Sequence, residues 1–159
     1  MFRLLSALTF CAAFASSASA DDKFVRLVNV ETGKVLSVKD DSDDCETPAV
    51  LAKLDADNKA QQWKFEKDGD FLKLVNRKSG KVLDVNDDSK EEGGGIIIWV
   101  DKTDGVDNQR WSWVGEGKER RFKSKSSELV LDVNGEGQII QKKADEKSKK
   151  QLWRIEEVK

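Results

Sequence analysis

Trp99 stands fifteen residues after Asp84, Asn108 follows nine residues after Trp99, and Gln109 is next in the chain. These residue types suit one kind of recognition. A carboxylate can accept hydrogen bonds from two neighbouring hydroxyls, and charged acceptors make stronger bonds than neutral ones. An indole can lie against a flat face of C–H groups and remove it from water. An amide both donates and accepts. Together they would hold a polyhydroxylated ring by one edge and stack on its face. Other chemistry finds little support. The chain has no histidine, which removes Ser-His-Asp and Cys-His nucleophiles and histidine metal sites. The acidic loops "VKDDSDDCE", "VNDDSKEE" and "DKTDGVD" lack the layout of a calcium loop, since the twelfth position from Asp84 is Gly95 rather than a glutamate. They read as solvated loops. No catalytic pair, metal or cofactor is implied.

The elements that must position these residues are written three times. "FVRLVNVETGKVLSV" from Phe24, "FLKLVNRKSGKVLDV" from Phe71 and a worn "ERRFKSKSSELVLDV" from Glu119 each lead to a second phrase, "AQQWKF", "NQRWSW" or "KQLWRI". The copies run over about 24–68, 71–115 and 119–157. Alternation of apolar and polar residues marks short strands. "ETGK" and "KSGK" are hairpin turns. The runs "AVLAKL", "GGIIIWV" and "GQIIQKK" supply third strands, and the tryptophan phrases fourth ones. "LAKLDADNKAQQW" alone also fits a short helix. Four strands per copy predict an all-β protein of twelve strands sharing one core, because a single copy cannot bury its own apolar face. Within Lys81–Val85, alternation turns Leu83 and Val85 inward and leaves Asp84 directed outward.

The Gln-x-Trp phrases at Gln61 and Trp63, Gln109 and Trp111, and Gln151 and Trp153 resemble those of the ricin-type β-trefoil lectins. So do Leu83-Asp84-Val85 and Leu131-Asp132-Val133. The likeness extends from Phe24 to about Glu157. It implies a β-trefoil: a six-stranded barrel capped by hairpins, with pseudo-threefold symmetry. It also implies a carbohydrate-binding module rather than an enzyme, with Asp84 and Asn108 holding hydroxyls, Trp99 stacking, and Gln109 supporting the pocket. Two departures stand out. Val35, Val82 and Val130 occupy places where many of these domains carry cysteine, so packing must replace disulfides, with Trp63, Trp111, Trp113 and Trp153 as its expected source. Ile97 stands where a glutamine is often found two residues before the aromatic.

The other copies lack parts of this constellation. The first has Ser37 for the aspartate, Ala52 fifteen residues on, and Ala60 for the asparagine. The third keeps Asp132, but counting back twelve residues from Trp153, as from Trp111 to Trp99, lands on Gln141, and Lys150 replaces the asparagine. A single intact site in the second repeat is therefore expected. The alternative that the fold allows is a protein-binding β-trefoil, an interaction module or protease inhibitor with a worn sugar site.

Met1–Ala20 has a basic start at Arg3, an apolar run and a small-residue end at Ala18-Ser19-Ala20, the layout of a secretory signal peptide. Asp21–Lys159 would then be one secreted domain. Only Arg3 among the 28 basic residues lies in that leader, so 27 basic and 30 acidic residues remain, a net charge of −3. The two signs are interspersed, which argues against nucleic acid as a partner. No second apolar stretch is long enough for membrane insertion. Cys45 is the one cysteine left, so a monomer is expected, with a Cys45-linked dimer as the alternative.

Overall fold

The computed structural model describes residues 23–159. The signal-peptide reading of Met1–Ala20 lies outside the described residues. The first copy forms β1 (Phe24–Asn29), β2 (Val35–Val38), β3 (Ala49–Ala52) and β4 (Trp63–Asp68). The second forms β5 (Phe71–Asn76), β6 (Val82–Val85), β7 (Ile96–Trp99) and β8 (Trp111–Val114). The third forms β9 (Glu119–Ser124), β10 (Val130–Val133), β11 (Ile139–Lys142) and β12 (Trp153–Glu157). The possible helix in the first copy reduces to a single 3-10 turn over Lys59–Gln61, matched by turns at Asp107–Gln109 and Lys149–Gln151.

Six strands close into a ring. β1 pairs with β4, β4 with β5, β5 with β8, β8 with β9, β9 with β12, and β12 with β1, all antiparallel. The remaining strands make three hairpins over one end, β2 with β3, β6 with β7 and β10 with β11. This is the β-trefoil, all-β as expected. Closure of the ring leaves its six strands without a free edge.

Strand alternation decides the core. Leu36 and Val38, Leu83 and Val85, and Leu131 and Val133 all belong to the central cluster. The residue between each pair, Ser37, Asp84 or Asp132, is buried outside that cluster. Trp63, Trp111 and Trp153 are each 0 % exposed. A buried aromatic removes about 150–250 Å² from water, which offsets the missing disulfides. The indole nitrogens of Trp63 and Trp111 also donate to the Leu36 and Leu83 carbonyls, each at 3.1 Å.

Trp113 departs from the expectation that it joins this core. It is 40 % exposed. Alternation gives it the same strand face as Trp111, but it lies further along β8, where the barrel opens to solvent. There it packs edge-on against Phe65, with ring centroids 5.3 Å apart, under the Arg120 guanidinium.

The turn after β1 shows why glycine was written there. Gly33 has φ of 69° and Gly80 has φ of 68°, the left-handed region, and each donates back to an asparagine carbonyl, Asn29 or Asn76. In the worn third copy Glu128 takes this place with φ of 59° and donates to the Ser124 carbonyl.

Candidate functional site

The second hairpin fixes the geometry. Val82 faces Trp99 across β6 and β7, and Asp84 faces Ile97. Asp84 and Trp99 are therefore diagonal neighbours on one face of the hairpin, about 7–8 Å apart in such a ladder. Both line a cavity of about 210 Å³. That is below the roughly 300–1,000 Å³ typical of pockets for drug-sized ligands.

The carboxylate of Asp84 is held from three sides. Asn108 Nδ2 donates to Oδ1 at 2.8 Å, and Gln109 Nε2 donates to Oδ2 at 2.8 Å. The Lys102 ammonium lies 3.2 Å from Oδ2. The turn Asp107–Gln109 brings the two amides into place, and each also ties down the backbone: Asn108 Nδ2 reaches the Val85 carbonyl at 3.0 Å, and Gln109 Nε2 the Val100 carbonyl at 2.8 Å. Gln109 Oε1 accepts from the Lys102 N–H at 3.0 Å, which pins the loop that carries the lysine. Asp101 anchors the same loop from outside, through Lys73 at 2.7 Å.

Asp84 is only 2 % exposed. It is directed away from the core, as alternation requires, yet neighbouring side chains cover it. Burial pushes its carboxyl above the ordinary aspartate value, while the Gln109 hydrogen bond and the Lys102 charge pull the other way. A carboxylate so placed is a fixed acceptor with little freedom to turn.

The four residues singled out in the sequence thus meet in one place, with different exposures. Asp84 and the half-buried Trp99 line the cavity. Asn108 and Gln109 stand behind it, 1 % and 0 % exposed. The resemblance gives Asn108 a hydroxyl to hold; its amide holds Asp84 and Val85 instead, and its Oδ1 faces the Lys102 ammonium at 3.2 Å.

The sequence alone does not assign five residues that line the cavity: Glu46, Asn86, Asp87, Asp88 and Lys102. Lys102 lies in "DKTDGVD", which reads as a solvated acidic loop; its signal is that it is the one cation between Trp99 and Asn108. Glu46 also lines the cavity, from the first repeat. It is brought there by the Glu46 N–H donating to the Ile98 carbonyl at 3.1 Å and the Ile98 N–H donating to the Thr47 carbonyl at 3.0 Å. Nothing within one repeat marks it.

A sequence profile describing the ricin-type beta-trefoil lectin domain matches residues 23–153. The chain belongs to this family. The ricin-type domain is a carbohydrate-binding, non-catalytic module, and the chain carries its fold throughout the matched span. No curated protein sequence matches the chain. Among solved structures, the designed threefold-symmetric protein ThreeFoil is 28 % identical with a TM-score of 0.77, covering 84 % of this chain and 97 % of its own. The exo-beta-1,3-galactanase 1,3Gal43A from Clostridium thermocellum is 34 % identical with a TM-score of 0.78 over 87 % of this chain and 31 % of the enzyme. The hemolytic lectin CEL-III is 26 % identical with a TM-score of 0.69 over 83 % of this chain and 29 % of the lectin. The chain therefore spans under a third of the galactanase and of CEL-III, and nearly all of ThreeFoil.

The family frame recurs in the other repeats and corrects one alignment. Val35 faces Ala52 and Val130 faces Lys142, as Val82 faces Trp99. Ala52 is the counterpart of Trp99 in the first repeat, as counted. In the third it is Lys142 rather than Gln141. Counting back from Trp153 fails because the loop between β11 and β12 is one residue shorter than that between β7 and β8. Gln141 faces inward at 0 % exposure and donates to the Ser89 and Glu91 carbonyls at 2.8 and 3.0 Å, joining the third repeat to the second.

Proposed function

We propose that this chain is a secreted lectin module whose second-repeat cleft holds one neutral sugar ring. Asp84 accepts hydrogen bonds from adjacent hydroxyls, Trp99 stacks on the C–H face, and Asn108 and Gln109 fix the carboxylate. Lys102 gives up part of its hold on Asp84 when a hydroxyl arrives. The observation that carries this reading is the diagonal pair of Asp84 and Trp99 on one cavity, with the carboxylate locked by two amides at 2.8 Å.

The expected affinity is low. Each neutral hydrogen bond nets about 0.5–1.5 kcal/mol against water. Stacking adds roughly 1–2 kcal/mol by the area covered. After the loss of ligand freedom this corresponds to a dissociation constant of order millimolar to high micromolar, bound as one ring per chain.

The test is a titration with galactose, N-acetylgalactosamine and xylose, followed by tryptophan fluorescence and calorimetry. Wild type should respond to at least one of them and Trp99→Ala to none. Equal binding by wild type and Trp99→Ala would remove the stacking role. Secretion is tested separately: mass spectrometry of the exported protein should find Asp21 at its N-terminus.

A further inference from the structure

The frame that holds Asp84 is repeated around Asp132 with other side chains mounted on it. Gln151 Nε2 donates to Asp132 Oδ2 at 2.9 Å and to the Lys143 carbonyl at 2.9 Å, as Gln109 does to Asp84 and Val100. Lys142 stands in the register position of the Trp99 ring. Lys150 precedes Gln151 as Asn108 precedes Gln109. The place of Lys102 is taken by Asp145, whose N–H donates to Gln151 Oε1 at 2.8 Å and whose carboxylate accepts from the Lys147 N–H at 2.9 Å. The stacking ring and the amide have thus both become ammonium groups, and the cation that covers the second-repeat aspartate is absent from its counterpart position.

Two consequences are visible. The cleft is larger, about 560 Å³ against about 210 Å³. Among the described residues, Asp132 at its floor accepts only from Gln151 and from the Val133 N–H, at 2.9 and 2.6 Å. A carboxylate can accept about four hydrogen bonds, so lone pairs are left for a ligand. Lys142, Lys147 and Lys150 line the same cleft, and among the described residues none of their ammonium groups has a hydrogen bond or ion pair. Two further carboxylates line the cleft: Glu92, which lies 3.7 Å from the Lys143 ammonium, and Asp145, which is engaged by the Lys147 N–H.

We propose that the third-repeat cleft binds an acidic saccharide, a pyranose carrying a carboxylate or sulfate, with Asp132 accepting hydroxyls and Lys142, Lys147 and Lys150 pairing with the anion. Without an aromatic platform, recognition here rests on charge placed beside a hydroxyl acceptor. A neutral sugar would leave the three ammonium groups unused. A simple polyanion would meet Asp132 with no hydroxyl to offer it. The site is independent of the second-repeat reading, because it shares none of the side chains of that cleft.

The experiment titrates the folded chain with trigalacturonate, with its neutral methyl ester, with a sulfated trisaccharide and with polyglutamate. Trigalacturonate or the sulfated sugar should bind about tenfold tighter than the ester at low salt, the sum of a few exposed ion pairs. Whichever acid binds tighter assigns the anion. The variant Lys142→Gln/Lys147→Gln/Lys150→Gln should fall to the affinity of the ester while its circular dichroism is unchanged, since all three side chains are exposed. Trp99→Ala should bind the acid as wild type does, which separates failure of this site from failure of the neutral one. Equal affinity for acid and ester, an unaffected triple variant, or polyglutamate binding as tightly as the acidic sugars would each overturn the proposal.

Discussion

The Lys102 ammonium lies 3.2 Å from Asp84 Oδ2 and 3.2 Å from Asn108 Oδ1, so one cation bridges the carboxylate and an amide that helps to hold it. With the Gln109 hydrogen bond, its charge and its own hydrogen bond restrain the upward shift of the Asp84 carboxyl. Replacing Lys102 with Met should raise that carboxyl further and shift the pH midpoint of neutral-sugar binding upward. Calorimetry of both proteins across the acidic range gives the two midpoints; a downward shift would contradict the role assigned to the lysine.

The same shift fixes how stability and binding respond to acid. Burial holds the Asp84 carboxyl above its ordinary value, and in the unfolded chain an aspartate titrates near about 3.9. Between those two values the native state binds more protons than the unfolded one. This residue's contribution to stability is fully present below the unfolded value and is lost as pH rises through the folded one. Binding runs the other way, since it needs the ionised acceptor. Affinity for a neutral sugar should therefore begin to fall at a pH above about 4, while Asp84 itself does not promote unfolding there. Wild type should gain melting temperature relative to Asp84→Asn as pH falls through this window.

Asp84→Asn and Trp99→Ala should separate structure from recognition. The asparagine amide would confront the donors of Asn108 and Gln109 and lose the lysine, so about 1–3 kcal/mol of stability should go with the binding. Trp99 lies outside the central cluster, and its truncation should abolish binding with a far smaller change in denaturant midpoint. Trp111→Ala marks the opposite extreme: a core tryptophan truncated to alanine costs about 3–5 kcal/mol and should leave the domain largely unfolded.

How much of this was legible follows the reach of each signal. Trp63, Trp111 and Trp153, the inward Leu83 and Val85, and the supporting Gln109 were readable because repetition and a period of two are local properties of the chain. Trp113 was misread as core because alternation gives the direction of a side chain but not how far along the barrel the core extends. Glu46 was invisible because it arrives through pairing between repeats. Lys142 was displaced by one position because counting from Trp153 crosses a loop whose length differs between copies. Strand pairing, which only the folded chain reveals, sets the true register.

Glu128 offers a test of the third hairpin. It adopts φ of 59° where the other copies have glycine. The left-handed region costs a residue with a Cβ about 1–2 kcal/mol, part of which glycine gives back through its greater freedom when unfolded. Glu128→Gly should stabilise the domain by roughly 0.5–1 kcal/mol and raise Tm by about 2–4 °C. A lower Tm would show that the glutamate side chain outweighs the backbone cost.

Val25 faces Glu157 across the β1–β12 pair, while Asn29 faces Trp153 at the other end of the same pair, next to the hairpin that leads into β2. Lys23 and Glu157 accordingly share the barrel mouth with Trp113 and pair at 3.2 Å. A dye, bead or second protein attached at residue 23 or residue 159 would therefore hang from this rim. Immobilisation through residue 23 or 159 should leave both clefts able to bind, and joining those two residues by a short linker would allow new ends to be opened in the turn at Gly69.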